Sequence, residues 1–115
     1  MEEKLFNLDY LNSISGGDTE FVNDMVQTFI VNSPGELNEI KDLITDKNWQ
    51  KVGEEAHRFA SSLLFLGLDK LKQLAIEIEN NGLQQTEVEQ IPALLEQLEK
   101  GCSAVIAQLK REFNV

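Results

Sequence analysis

Residues 48–68, NWQKVGEEAHRFASSLLFLGL, carry the clearest structural pattern in the chain. Their apolar positions alternate in steps of three and four, which is the spacing of one face of an α-helix. These positions are Trp49, Val52, Ala56, Phe59, Leu63 and Leu66. Asn48 fits the N-cap of this helix, and Gly67 fits its C-terminal end. The stretch therefore predicts an amphipathic helix of about five turns with one buried face.

The residues before this stretch show the same helical spacing. A short apolar repeat, Leu8, Leu11 and Ile14, precedes Asp18, which is well placed to cap a second helix. Further along, residues 33–36 fit a capping box that starts a new helix, but a proline-kinked continuation of the preceding helix fits equally well. The N-terminal half therefore predicts one short helix followed by one or two longer ones.

The residues after Gly67 predict two more helices. One covers residues 68–78 and is expected to end near residues 80–82, where Asn-Asn-Gly is a typical C-terminal signal. The other runs to Phe113, and Pro92 places its start near Ile91 or kinks its first turn. Short connections between the helices favour an all-α, up-down-up-down four-helix bundle with an additional short N-terminal helix.

Composition limits the classes of function. The 115 residues predict a single domain, 1–115, and include 20 acidic and 10 basic residues, for a formal charge of −10. This charge disfavours binding to nucleic acid or to anionic membranes. One cysteine and one histidine also exclude an internal disulfide and a Cys/His zinc site. Because Met1-Glu2-Glu3-Lys4 lacks a basic n-region and no apolar run reaches about 18 residues, we expect a cytoplasmic protein.

His57 is the residue around which chemistry would centre, because no Walker loop, Gly-x-Ser-x-Gly or Gly-x-Gly-x-x-Gly motif is present. It lies roughly 130° from the centre of the apolar stripe, so its ring should point outward. Gly53, Ala60 and Ser61 are one turn away on the same side and are small, which predicts an open approach to the ring. Leu64 and Phe65 lie one turn further on and would add apolar surface for a partner.

The run from Ala56 to Leu68 resembles the signature of histidine-containing phosphotransfer (Hpt) domains. His57 matches the phosphoacceptor of the family, and Gly67, Leu68, Leu71, Leu74 and Glu79 fit its later positions. The N-terminal half is also similar to the family's opening helices, at Leu8 to Leu11, Ser15 to Asp18, Phe21, Phe29 and Asn48-Trp49. The resemblance thus covers nearly the whole chain.

This resemblance implies a carrier, without a cofactor of its own, whose imidazole takes a phosphoryl group from a receiver-domain aspartate and passes it to another. The receiver would supply magnesium, so the chain would be a monomeric phosphotransfer protein with a phosphohistidine intermediate rather than an independent enzyme. Glu79 is the candidate to bind the second ring nitrogen of His57, although a surface glutamate in plain solvent fits the spacing equally well.

Two positions depart from the family pattern. Ala60 stands where a lysine is usual, and Ser61 stands where a glycine is usual. Arg58 would partly replace the missing positive charge, or it is an ordinary solvated residue. Ser61 would donate to a phosphoryl oxygen or, more simply, to the backbone carbonyl of His57. Cys102 and Trp49 are interpreted as packing residues.

Three functional hypotheses follow from this pattern. The first is a phosphorelay carrier that acts on receiver domains of response regulators or hybrid histidine kinases. The second is a phosphotransfer-deficient module that only binds receiver domains, because Ala60 and Ser61 would indicate lost chemistry. The third is an unrelated acidic helical interaction domain in which His57 is an ordinary surface residue.

Overall fold

The computed structural model describes residues 4–114, and these form helices and connections without a β-strand. The chain start at Met1, Glu2 and Glu3, on which the expectation of a missing targeting segment partly rested, lies outside the described residues. The helices are α1 (Asp9–Ser15), α2 (Thr19–Thr45), α3 (Trp49–Phe65), α4 (Asp69–Gln84) and α5 (Ile91–Phe113), with a 3₁₀ turn at Val88–Gln90. The prediction of an all-α fold is confirmed.

The four long helices form a closed bundle. Each packs against the next helix in the chain, and α2 also packs against α5, which closes the ring. The short α1 packs on α2, as expected for an additional N-terminal helix. The core is continuous, and its largest fully buried side chains are Leu11, Val26, Ile40, Val52, Phe59, Leu63, Leu66, Ile78, Ile91, Leu98, Val105 and Leu109. None of the helices described between residues 4 and 114 is long and apolar enough to cross a membrane.

Two predicted caps and one reversal are present. The Asp18 carboxylate accepts hydrogen bonds from the backbone N–H groups of Glu20 and Phe21, and the Asn48 side chain accepts one from Lys51. Gly67 turns the chain with a φ of +66°, a conformation that costs glycine little. These local signals direct α3 and α4 to run antiparallel.

The structure decides between the two alternatives at Pro34. α2 continues through Pro34, so the capping-box alternative is wrong. Ser33 is buried, and its Oγ donates to the carbonyl oxygen of Phe29 at 2.6 Å, one turn earlier. A hydroxyl held in this way is not available to cap a new helix. Burial of Phe29 and Leu37 on one face keeps both halves of the helix against the bundle.

The structure also shows where α4 ends and where α5 begins. α4 was expected to end near residues 80–82, but it continues to Gln84, and Gly82 lies inside the helix. A Cβ at Gly82 would lie 2.8 Å from the carbonyl oxygen of Trp49 and 2.9 Å from the backbone nitrogen of Gly53. Gly82 is therefore a packing position against α3 and not a helix terminus. α5 begins at Ile91 with Pro92 in its first turn, which is the first of the two alternatives.

Candidate functional site

His57 lies in the middle of α3, which is the second helix of the bundle, and faces solvent. Its side chain is 66% exposed, so the prediction from its angular offset is confirmed. An exposed imidazole in a rigid helix is accessible to a group on another molecule.

Glu79, on α4, binds one of the two ring nitrogens. Its Oε2 lies 2.8 Å from Nδ1 of His57, and its side chain is only 19% exposed. A carboxylate accepts a hydrogen bond, so the N–H of the neutral ring resides on Nδ1 and the lone pair on Nε2. The expected proximity of these two side chains is confirmed, and Nε2 is the nitrogen available for bond formation.

The antiparallel packing of α3 and α4 produces this contact. The backbones approach closely where Gly53 meets Gly82, because a Cβ at Gly53 would come within 2.6 Å of the Leu83 side chain and 3.0 Å of the Glu79 carbonyl oxygen. Along α3, His57 is one turn beyond Gly53, and along α4, Glu79 is about one turn before Gly82. The two side chains therefore lie at the same level of the bundle.

Two residues expected on the open face of α3 are buried. Gly53 and Ala60 were expected to leave the ring of His57 accessible from the side, but Gly53 is buried and Ala60 is only 6% exposed. Gly53 lies on the side of α3 that packs on Gly82 and Leu83 of α4, and Ala60, about two turns later, is roughly 20° from it around the helix axis. The expectation that position 60 faces outward is wrong. Their small size permits close helix packing, and the exposure of His57 results from its own position.

Ser61 and Leu64 remain on the exposed side of α3. Ser61 Oγ donates to the His57 carbonyl oxygen at 3.4 Å, which is the backbone bond favoured from the sequence. Leu64 is 40% exposed. Phe65 is half-buried, and its ring lies 5.6 Å from that of Tyr10 on α1. Leu64 is therefore available to a partner, whereas Phe65 is partly used by α1.

Arg58 forms an ion pair within its own helix. Its Nη1 lies 3.1 Å from Oε1 of Glu55, and its side chain is 75% exposed. A shallow concavity next to the ring, which we name the His57 concavity, is lined by Glu54, His57, Arg58, Glu79 and Leu83. Arg58 borders the histidine, but in this structure its charge is directed to Glu55.

Leu83 was not among the residues selected from the sequence. It is 39% exposed and packs over Gly53 at the edge of the His57 concavity. Leu83 was not selected because the helix was expected to end at residues 80–82. Only a helix that continues beyond Gly82 places Leu83 one turn after Glu79 on the same face. The signal in the sequence was the spacing of four residues between Glu79 and Leu83, which identifies Leu83 once α4 is extended past Gly82.

Two other groups have shifted pKa values outside this concavity. Burial raises the pKa of the Cys102 thiol to about 12, with a smaller contribution from Glu99. Desolvation raises the pKa of Glu36 on α2, and the nearby carboxylates Glu55 and Glu39 add to the effect. Cys102 is buried in the core, as expected for a packing residue, and Trp49 is half-buried against it. Neither Cys102 nor Trp49 takes part in the site.

The chain is similar to known proteins in sequence family and in fold. The Hpt domain family model matches residues 24–108, which include His57 and Glu79. The fold is similar to the crystal structure of histidine-containing phosphotransfer protein B (HptB) from Pseudomonas aeruginosa PAO1. That similarity has a TM-score of 0.87 at 21% sequence identity and covers 98% of this chain and 97% of that chain. No curated protein matches the chain.

The family match decides among the three functional hypotheses at a coarse level. The third hypothesis, an unrelated helical domain, is wrong, since the match covers most of the chain and the four-helix bundle follows the same fold. The chain belongs to the Hpt domain family, whose role is histidine phosphotransfer in phosphorelays.

Proposed function

We propose that this protein accepts a phosphoryl group on His57 Nε2 from the aspartate of one receiver domain and passes it to the aspartate of another. The observation that carries this proposal is the 2.8 Å contact between Nδ1 and Glu79 Oε2 on an otherwise exposed ring. That contact keeps the proton on Nδ1 and leaves the Nε2 lone pair ready for attack.

The transfer step is a displacement at phosphorus. The Nε2 lone pair forms an N–P bond, and the P–O bond of the aspartyl phosphate breaks with its electron pair going to the receiver carboxylate. Nδ1 keeps its proton, so the phosphorylated ring carries positive charge, which the Glu79 carboxylate stabilises. In the return step, a carboxylate oxygen of the second receiver attacks phosphorus, and the N–P electron pair returns to Nε2.

The receiver domain would supply Mg²⁺ and most of the electrostatic stabilisation, so this chain needs only to present and orient its nucleophile. Leu64, the exposed edge of Phe65 and Ser61 form the proposed docking surface around His57, and Leu83 extends it on the α4 side. Gly53 and Ala60 support this surface from beneath, because they are buried. We further propose that the protein acts as a monomer in the cytoplasm, where such receivers are expected.

The second candidate is a module that binds receivers without transfer. One observation favours it: the concavity holds two carboxylates, Glu54 and Glu79, while Arg58 is paired with Glu55. Ala60 provides no cationic group one turn from His57. A phosphoryl group with about two negative charges would meet repulsion there unless the receiver compensates for it.

Phosphotransfer profiling separates the two candidates. The receiver domains of the source organism are phosphorylated with acetyl phosphate and Mg²⁺, mixed with this protein, and the label on each partner is followed. We expect transfer to His57 from at least one receiver, as an acid-labile and base-stable adduct that His57→Gln abolishes. Receiver binding without label on wild-type protein would support the second candidate, and undiminished labelling of His57→Gln would disprove the assignment of the acceptor.

A further inference from the structure

The charge balance of the His57 concavity is unfavourable for a phosphoryl group. Of the five side chains that line it, Glu54 and Glu79 are acidic and Arg58 is the one that is always cationic. Glu79 has a positive partner only after the ring becomes charged, and the Glu54 carboxylate accepts a hydrogen bond from Gln50 at 3.0 Å. A phosphoryl group on Nε2 would therefore depend on Arg58 for charge compensation from this chain.

Arg58 lies between Glu55 and His57 on the surface of α3, so its guanidinium can reach either the Glu55 carboxylate or a phosphoryl group on His57. At about 100° per residue, it is roughly 100° from His57 and roughly 60° from Glu55 around the helix axis. Its guanidinium now contacts Glu55 at 3.1 Å, yet the side chain also borders the same concavity as the ring. The side chain is exposed and long, so rotation between the two directions requires no change in the backbone.

We infer that Glu55 is a positioning residue that holds Arg58 away from His57 until a phosphoryl group competes for the guanidinium. This inference rests on the proposed function of His57 as phosphoacceptor. When the N–P bond forms, the guanidinium leaves the Glu55 carboxylate and donates to the phosphoryl oxygens, and Glu55, whose side chain is 22% exposed, loses its cationic partner. The ion pair thus lowers the stability of the phosphorylated state and keeps its transfer potential high.

A second carboxylate near Glu55 raises the cost of removing Arg58 from Glu55. Glu55 lies close enough to Glu36 on α2 to contribute to the raised pKa of Glu36, after the larger effect of desolvation. Loss of Arg58 from Glu55 leaves this pair of carboxylates without the nearby positive charge, which opposes the exchange. The exchange therefore occurs only when the phosphoryl group offers Arg58 a stronger partner than one carboxylate.

The test uses phosphoramidate, whose phosphoryl group is attacked by histidine nitrogen with loss of ammonia, so that no receiver is needed. The rate of labelling of His57 and the lifetime of the adduct are measured for the full chain. We expect Glu55→Gln to increase the extent of labelling, which follows from the labelling rate and the adduct lifetime, roughly two- to fivefold, the range of a partly exposed ion pair expressed as an equilibrium ratio. The same substitution in an Arg58→Gln background should have no effect, because the residue through which it acts is gone.

Two further measurements separate this exchange from a general field or folding effect. Glu36→Gln leaves the ion pair between Arg58 and Glu55 in place and removes only the neighbouring carboxylate that opposes the exchange, so it should raise labelling by less than Glu55→Gln does, about 1.5-fold or less. The Nε–H resonance of Arg58 should move on phosphorylation of the wild-type protein, and Arg58→Lys should partly preserve the dependence on Glu55.

The outcomes distinguish this inference from the proposed function. An unchanged or lower labelling of Glu55→Gln would overturn the inference, and so would an equal increase in the Arg58→Gln background. If phosphoramidate labels His57 with the expected dependence on Glu55 and Arg58 but no receiver exchanges phosphoryl groups with it, the inference stands and the proposed carrier function fails. Absence of label both from phosphoramidate and from every phosphorylated receiver would overturn both.

Discussion

The hydrogen bond between His57 Nδ1 and Glu79 Oε2 leaves Nε2 as the ring nitrogen available for the proposed nucleophilic attack. Both its length and the partial burial of Glu79 favour a fixed ring orientation, since a carboxylate shielded from water is a stronger acceptor for the N–H group. At the residue scale, the function therefore depends on one acceptor that positions the ring and on the charges that surround it.

A series at position 79 tests this role. Glu79→Gln keeps a carbonyl acceptor but loses the negative charge, so we expect a reduction of a few-fold in His57 labelling by phosphoramidate. Glu79→Ala loses both and should reduce labelling by about tenfold. Glu77→Gln, which removes an exposed carboxylate from the same helix, is the control. Equal labelling of wild type and Glu79→Ala would show that Glu79 has no part in the reaction.

Ala60→Lys gives a second prediction at this scale, and the burial of position 60 determines its effect on stability. A lysine there must route its stem out of the α3–α4 interface, so we expect a loss of about 1–2 kcal/mol in the free energy of unfolding, measured by urea titration. The ammonium group should still raise labelling of His57 several-fold once it reaches solvent. Unchanged stability would mean that the interface opens at Ala60 more easily than its burial indicates.

At the scale of secondary-structure elements, the interface between α3 and α4 positions the site. The two helices approach closely because Gly53 and Gly82 lie opposite each other, and a side chain on either one would overlap the facing backbone or Leu83. The contact between His57 and Glu79 lies about one turn away from this crossing. Any change in helix separation is therefore transmitted directly to the pair.

Glycine substitutions test this coupling. Gly82→Ala places a Cβ 2.8 Å from a backbone oxygen of α3, so we expect a loss of about 1–3 kcal/mol in stability and slower labelling of His57. Gly35→Ala is the matched control in α2, where nothing lies within 4 Å of an added Cβ. That variant should be neutral or up to about 1 kcal/mol more stable, because alanine favours the helix. Comparable effects of the two substitutions would remove the special role of the α3–α4 crossing.

At the scale of the whole molecule, an excess of acidic groups surrounds a small set of exposed apolar side chains. The formal charge is −10, and Leu64 and Leu83 lie within this acidic surface on either side of His57 along the helix axes. Repulsion between carboxylates lowers stability, whereas apolar side chains near the nucleophile provide contact area for a partner. The two effects are tested separately.

Glu36→Gln measures the cost of ionising Glu36, which desolvation and, to a smaller extent, the carboxylates of Glu55 and Glu39 make unfavourable. The pKa of Glu36 is raised in the folded protein, so its protonated form is favoured there, and ionisation destabilises the fold as pH rises above the unfolded value of 4.5. At pH 7 we expect the variant to melt on the order of 1 °C higher than wild type, with the difference disappearing toward pH 4. A constant difference at both pH values would indicate a cause other than ionisation of Glu36.

Leu64→Asp measures the contribution of the apolar surface to docking. Leu64 is exposed near His57, and a buried contact of this kind at an interface is worth about 1–2 kcal/mol. We therefore expect about tenfold weaker binding to a cognate receiver by titration calorimetry, with the fold retained. Val31→Asp changes a similarly apolar side chain on α2, 74% exposed and outside the His57 concavity, and should bind normally. Normal binding by folded Leu64→Asp would place the docking surface elsewhere.

Periodicity and local capping were sufficient to predict the helices, the reversal at Gly67 and the outward direction of His57. These features depend on residues near each other in the chain, and the angle of a side chain relative to its own apolar stripe follows from helix geometry alone. The continuity of α2 through Pro34 was left open, because its two readings have the same local sequence, and burial of Ser33 decided between them.

Only the tertiary structure determined which small residues face solvent and which face another helix. Gly53 and Ala60 lie at the edge of the apolar stripe and have too little side chain to show a preference, so the sequence pattern was equally consistent with an open surface and with a packed one. The position of α4 made them buried contacts, extended α4 past Gly82 and brought Leu83 to the site. It also directed Glu79 to His57, because the separation and register of two helices depend on packing between residues far apart in the chain.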